Sequence, residues 1–348
     1  MRRAILGFAI VTLIPVILLF VGGFAGGWWI GAALVYLTAL AMMLDRIVKR
    51  VTPAIDPDAD FSNADLLSAV LAGAHFPLMA LAVMAVSGQT GMIWWERVLA
   101  FIAFGLFFGQ VSNSNAHELI HRTKPWLRRL GTWVFISHLF GHHASAHPKV
   151  HHRYVASDSD PNSARAGESF YHFAPRAWIG SFSKGFRAEI ANPAQQRWYE
   201  HPYLTYVAGG LGCCILALIL GGWEGLAAYM GLAGYATAQL LMSDYVQHYG
   251  LRREELPGGR LAPVGPEHSW NAPHWFTGRL MLNAPRHSDH HQHPSRPYPA
   301  LKMPPPDEVP TLPRSLPVMG MVALVPHRWR QIMDPHVEHW ALKRLTAE

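Results

Sequence analysis

Cysteine is almost absent from this chain. Only two of 348 residues are cysteine, Cys213 and Cys214, adjacent within an apolar run. Vicinal cysteines build no disulfide framework. With no C-x-x-C pair there is also no thiolate zinc site, no cysteine-held iron–sulfur cluster and no covalent c-type haem. Charge is scarce as well: Asp, Glu, Lys and Arg supply 15% of the chain, against about a quarter in ordinary soluble domains. No flavin or nucleotide fingerprint and no rubredoxin-like cysteine knuckle is present. Neither an internal repeat nor a low-complexity tail is visible. The net charge of +6 is modest, and its Lys and Arg sit mostly between apolar runs. That pattern reads as membrane topology rather than nucleic-acid binding.

What the chain has instead is apolar length. Six runs, at 4–22, 27–44, 66–86, 94–112, 203–221 and 225–243, are each near the ~20 residues that cross a bilayer core. Gly22, Gly23, Gly26 and Gly27 join the first two in a tight hairpin. The third and fourth meet around Ser87–Thr90, and the fifth and sixth at Gly221–Gly222. Arg2 and Arg3 precede the first run, while Arg46, Lys49 and Arg50 follow the second. By the positive-inside rule both termini and the long segments are cytoplasmic. Arg2 and Arg3 before an apolar stretch resemble a signal peptide, but a second apolar run follows without a clear cleavage site, so the first run reads as a retained anchor. Trp28, Trp29, Trp94, Trp95 and Trp223 suit the headgroup belt. The fold class expected is an all-α membrane protein. About six transmembrane helices in three hairpins carry a cytosolic histidine-rich cap from residues 113–202 and 244–348, all in one domain. The Pro-rich stretch 303–318 reads as an extended strap over that cap. The 45–65 loop, with Asp56, Asp58 and Asp60, suggests no role.

Histidine is abundant: twenty-one residues, eight of them between His117 and His152. Three boxes stand out. The first is His117-Glu118-Leu119-Ile120-His121, whose i, i+4 histidines share a helix face. Taken alone, these letters also fit a zinc protease with Glu as base. The second is His147-Pro148-Lys149-Val150-His151-His152, and the third His287-Ser288-Asp289-His290-His291. His248, in the extension of the sixth run, makes nine candidates. One catalytic zinc needs three protein ligands, so nine suit two metals with four or five ligands each. Neutral imidazole suits iron, which activates O₂ where redox-inert zinc cannot. His142 and His143 are left out. The spacing of 143, 147 and 151 places three histidines on one helix face, but Pro148 argues against a continuous helix there.

These motifs together resemble the alkane 1-monooxygenase family, the integral membrane alkane hydroxylases, over nearly the whole chain. The resemblance is carried by Asn115 to Arg122, by His147 to His152 with Val155-Ala156, and by Asp160-Pro161-Asn162-Ser163-Ala164-Arg165. It continues through His248-Tyr249-Gly250-Leu251, His268-Ser269-Trp270-Asn271, Arg286 to His291, and Met333-Asp334-Pro335 before Trp340. The H-Y-G-L and R-H-S-D-H-H elements separate it from acyl-lipid desaturases, which share only the three-box plan.

The resemblance implies a non-haem di-iron centre of two Fe ions on His117, His121, His147, His151, His152, His248, His287, His290 and His291. It implies no haem, flavin or nucleotide on this chain. The implied reaction converts an alkane, O₂, two electrons and two protons to a 1-alkanol and water. Electrons would come from a separate rubredoxin or ferredoxin with its reductase, docking on a basic face that includes Arg128, Arg129, Arg153 and Arg165. The implied location is the bacterial inner membrane, with the site on the cytoplasmic side. The sequence departs from the family at Arg122, at Ala146 (commonly Glu) and at Asp244 (commonly Asn). A ligating histidine usually gives its other N–H to a carboxylate or carbonyl. Glu118, Asp289 and Asp244 are expected in that role, with Asp158 and Asp160 as further local candidates. Among the flanking histidines (His138, His268, His274 and His293), His268 is singled out. A steric stop for the alkane is sought at Trp28, Trp29, Trp94 or Phe108, residues that also suit interface anchoring or packing. Alternatives on the same site are an aromatic-methyl (xylene-type) monooxygenase and a fatty-acyl hydroxylase or desaturase. A zinc protease built on the first box is the non-oxygenase rival.

Overall fold

The computed structural model describes residues 2–191 and 197–347, and nearly all of its regular structure is helical. Among the described residues, five helices are long and apolar enough to cross a membrane. They are α1 (Ile5–Ala25), α2 (Gly27–Ile47), α3 (Ser62–Val86), α4 (Trp94–Ile120) and the 47-residue Pro202–His248. The last is not one rod. Gly221 and Gly222 leave helical geometry, with Gly222 at φ 61° and ψ −151°. A Cβ on Gly225 would meet the Ala217 carbonyl oxygen at 2.4 Å. Eight residues of straight helix span ~12 Å, so the chain folds back here into α8 (202–220) and α9 (223–248).

The first turn repeats the device. Gly26 has the same φ 61° and ψ −151°, and a Cβ on Gly22 would lie 3.0 Å from the Ile30 amide nitrogen. Only glycine adopts that backbone region without strain. Glu96, in the first turn of α4, accepts from the Gly27 amide at 2.7 Å and pins the turn to the neighbouring pair. Non-helical glycines thus separate α1 from α2 and α8 from α9, and residues 87–93 separate α3 from α4.

One apolar core lies among the spanning helices, from Phe8 through Leu37 and Phe104 to Leu232. A second lies among their ends and the remaining segments, around Phe135, Tyr245, Trp270 and Trp329. Those segments include α5 (Pro125–Ser137), a helical stretch α6 (143–154), α7 (Phe170–Ile190), α10 (Trp275–Leu280), α11 (His287–Gln292), α12 (Leu316–Ala323) and α13 (Pro326–Ala347). A two-residue hairpin pairs Glu255–Leu256 with Arg260–Leu261. The strap is extended only in part: Asn271 bridges Thr311, and Pro317 already lies inside α12. The last turn of α2, which opens the 45–65 stretch, has a structural role. Asp45 Oδ1 accepts from the amides of Phe276 (2.8 Å) and Thr277 (3.1 Å), capping α10.

The expectation that Pro148 breaks the second box is corrected. The backbone stays helical from His143 to Tyr154, with a wide π-helical turn over His147–His151. Such a turn tolerates the missing N–H and the ring that an ordinary α-helix would reject.

Candidate metal centre

The first box ends α4, and a second π-helical turn, Phe108–Ser112, precedes it. His248 ends α9, the second box is α6, and the third is α11. These four elements converge, and all nine candidate histidines meet in two groups. His117, His121, His147, His152 and His290 bring one ring nitrogen each within 4.8 Å of one another. His151, His248, His287 and His291 do the same beside them.

Local geometry explains the partition. In the wide turn of α6 the His152 amide bonds the His147 carbonyl, five residues back. Residues five apart therefore share a face, and His147 joins His152 while His151 turns to the other group. In α11, His287 and His291 are one α-turn apart and stay together, while His290 faces the first group.

The imidazoles point at common centres. His147 Nε2 lies 2.7 Å from His117 Nε2 and 3.0 Å from His152 Nε2. His152 Nε2 lies 3.2 Å from His290 Nε2. In the second group His287 Nε2 is 3.0 Å from His248 Nε2 and 3.1 Å from His291 Nε2. One proton satisfies one such pair, not three or four converging nitrogens. The buried Nε2 atoms of His121 and His151 have no hydrogen-bond partner. A cation with Nε2 ligands at ~2.0–2.1 Å, the distance typical of imidazole on zinc, fits this donor set.

Protonation agrees with that fit. Burial, with His151 nearby, pushes His121 down to about 3. Burial and neighbouring imidazoles hold His147, His152, His287, His290 and His291 well below the ordinary histidine value. These rings are neutral at pH 7, with a lone pair free to ligate. His151 differs: burial lowers its pKa, but the Asp160 carboxylate beside it reverses the balance and raises it.

Among the described residues, Asp160 is the one carboxylate that meets a clustered ring. Asp160 Oδ2 accepts from His151 Nδ1 at 2.8 Å and from Ser163 Oγ at 2.6 Å, and its Oδ1 accepts from the Asn162 amide at 3.1 Å. The three carboxylates favoured from sequence do other things. Asp244 Oδ2 accepts from Asn162 Nδ2 at 2.7 Å, one step behind Asp160. Glu118 lies 3.5 Å from Arg122 and accepts from the Tyr298 amide. Asp289 pairs with Arg296 and accepts from the Lys302 amide at 2.8 Å. Sequence distance alone does not show which carboxylate swings inward. Asp158 is exposed and pairs with Arg165 and Arg252. His268 accepts from the Gly265 amide through Nδ1, and its main chain lies beside the His248 ring. Its neighbours Trp270 and Asn271 do more positioning. Trp270 Nε1 donates to the Tyr249 carbonyl at 2.9 Å, and Asn271 holds Ser288 of the third box from both sides. His142 and His143 lie outside both groups, though His143 stacks on His147 with centroids 4.8 Å apart.

A lateral cavity of about 230 Å³ opens between α2, α4, α9 and α12. Leu37, Ala41, Leu106, Ala238, Met242 and Gly320 line it. None of the four residues considered as a steric stop does. Trp28, Trp29 and Trp94 are exposed, and Phe108 is buried against His75 and His138.

The fatty acid desaturase family model matches residues 93–322. Alkane 1-monooxygenase of Pseudomonas putida is 32% identical over 258 residues, covering 73% of this chain and 63% of that protein. Alkane 1-monooxygenase 1 of Alcanivorax borkumensis is 30% identical over 343 residues, covering 90% of this chain and 80% of its own length. The hydroxylase component of a xylene/toluene monooxygenase of Pseudomonas putida is 26% identical over 356 residues, covering 96% and 90%.

Proposed function

The chain belongs to the alkane 1-monooxygenase family, and on that premise we propose that it hydroxylates the terminal methyl group of alkanes to 1-alkanols at a non-haem di-iron centre. The observation that carries this reading is the convergence of nine imidazoles, six of them buried, into groups of five and four. His117, His121, His147, His152 and His290 would hold one iron, and His151, His248, His287 and His291 the other. Bound iron supplies the activation of O₂ that an inert C–H bond requires. The balance is alkane, O₂, two electrons and two protons to primary alcohol and water.

The chain's own residues would set position and access. Three spanning helices, α2, α4 and α9, border the cavity with the short α12, and α4 and α9 carry His117, His121 and His248. A hydrocarbon entering sideways from lipid would reach these helices without crossing water, gaining ~0.8 kcal/mol per buried CH₂. Asp160 would fix the tautomer and direction of His151. We place the site on the cytoplasmic face of a bacterial inner membrane, on the support of the basic residues flanking the first two helices.

Electrons would come from a separate rubredoxin or ferredoxin served by a reductase. Charge supports a docking face around residues 153–165. Arg253 Nη2 donates to the Arg153 carbonyl at 3.2 Å, and Arg165 and Arg252 flank Asp158. That loop also carries Asp160, the partner of His151. Arg153→Glu with Arg165→Glu should slow electron delivery at unchanged iron content; unaltered kinetics would remove this face from the proposal.

The test of the whole reading is metal analysis of detergent-purified protein, with product analysis under O₂ using a supplied reductase, rubredoxin and octane. Two irons per chain and 1-octanol are expected. One zinc and no oxygen-dependent product would overturn the oxygenase reading. Iron with benzyl alcohol from toluene but no octanol would favour the aromatic-methyl alternative, which the xylene/toluene relative keeps in view. An alkene in an acyl chain would favour a desaturase.

A further inference from the structure

Helix α7 braces the second histidine box with one face and leaves the other bare. On its packed side a Cβ on Gly185 would meet Ala146 Cβ at 3.0 Å, Ser181 Oγ lies 3.2 Å from His142, and Glu189 pairs with Lys149. On the other side Tyr171, Trp178, Ile179, Phe182, Phe186 and Ile190 are exposed, Ile179 and Ile190 at 61% each. At 100° per residue these six fall within an arc of about 120°. Arg187, also exposed, stands about 60° beyond that arc.

A soluble surface rarely carries such a stripe, yet α7 is not among the helices apolar enough to cross a membrane. It fits a third placement. A helix with one apolar face and a charged flank lies along a bilayer surface, its aromatic residues at headgroup level. The stripe is also continuous with a lipid-type surface. Phe182 and Phe186 pack on Tyr203 with centroids 5.1 and 5.2 Å apart. Tyr203 opens α8, whose own exposed face is Leu204, Val207, Leu211, Ile215 and Ile219.

We propose that α7 lies in the plane of the membrane surface, with its Trp178–Ile190 face in the acyl-chain boundary and Arg187 among the headgroups. The inference rests on the reading of this chain as membrane-integrated. It makes α7 a lipid-contacting brace that holds the second histidine box about one helix diameter, ~10 Å, from the bilayer.

The test is nitroxide accessibility on the full chain in nanodiscs. Single cysteines replace Ile179, Phe186, Arg187 and, on α8, Ile219 in a Cys213→Ser, Cys214→Ser background. Labels at 179 and 186 should collide readily with O₂ and poorly with a water-soluble nickel chelate, while 187 shows the reverse. Ile219 separates the two readings: lipid-like behaviour at 219 with water-like behaviour at 179 and 186 overturns this inference alone, and water-like behaviour at 219 overturns the membrane reading. Spin–spin broadening at 179 and 186 that fades on dilution with unlabelled chain would assign the stripe to a second copy and overturn the proposal. Should the labelled variants fail to fold, native protein and Trp178→Phe are compared in bilayers with brominated acyl chains. A quenched Trp178 contribution is expected; an unquenched one overturns the proposal.

Discussion

On the two-metal reading proposed above, replacing Asp160 by Asn should loosen one metal and spare the other. The carboxylate serves three donors: His151 Nδ1 and Ser163 Oγ on Oδ2, and the Asn162 amide on Oδ1. An amide of the same shape has one acceptor oxygen. It either abandons the Asn162 amide or turns its NH₂ toward His151 and Ser163. In both cases the charge that strengthens the bond to His151 is gone, and a charge-assisted hydrogen bond is worth ~1.5–3 kcal/mol. Removing a partner behind a ligating histidine typically weakens metal binding about 10–100-fold, or ~1.4–2.7 kcal/mol. His151 belongs to the group of four and to no other, so the loss should be confined there. The assay is equilibrium dialysis of detergent-purified protein against graded chelator, with metal per chain counted afterwards. Native protein should release its two metals at high chelator. Asp160→Asn should release one at about 10–100-fold less and keep the second. Asp289→Asn, whose carboxylate touches no clustered ring, should behave as native. Loss of both metals together, or of neither, would refute the reasoning.

Acid should destabilise the fold through histidines outside the two groups. Burial pushes His138 and His142 down to about 3, against about 6.5 in the unfolded chain. Between those values the unfolded state binds more protons, so stability falls as pH drops, by about 2 kcal/mol for the pair from pH 6.5 to 5.5; a detergent-solubilised melting temperature that does not change over this range would contradict it. Gly225→Val should splay the α8–α9 turn, because its Cβ meets a backbone oxygen that cannot yield. The expected cost is ~1–3 kcal/mol, read as a lower melting temperature and faster proteolysis near residue 221. Ala238→Phe, projecting into the lateral cavity, should shorten the longest alkane oxidised at unchanged metal content. An unaltered product profile across a hexane-to-hexadecane series would show that substrate does not pass there.

The long apolar helices are legible in the sequence for a physical reason. A bilayer demands long apolar runs, and the turns between arms demand glycine, so Gly26 and Gly222 are visible before any coordinates. The histidine boxes were equally visible, because ligands one or two turns apart must lie close in sequence. The division into five and four was not. It depends on a wide turn at His147–His151 that pairs residue 147 with 152, and Pro148 pointed the other way. The choice among carboxylates was also hidden, since Asp160, Asp244 and Glu118 sit on separate segments and only tertiary packing decides which meets a ring. The α7 stripe is masked in the sequence because it is short, interrupted by Pro175 and mixed with Arg176, Lys184 and Arg187.

Asp45 sets a condition on assembly. It is buried at the end of the second apolar helix, and its acceptors are filled by residues 276 and 277, some 231 positions later. During synthesis α1 and α2 enter the membrane long before α10 exists. Until then the carboxylate has no α10 amide to accept from. The α10 helix that Asp45 caps is followed six residues later by α11, which carries His287, His290 and His291. The N-terminal hairpin thus acts as a receptor for the C-terminal segment, and a chain cut before residue 276 would expose an unmatched acid.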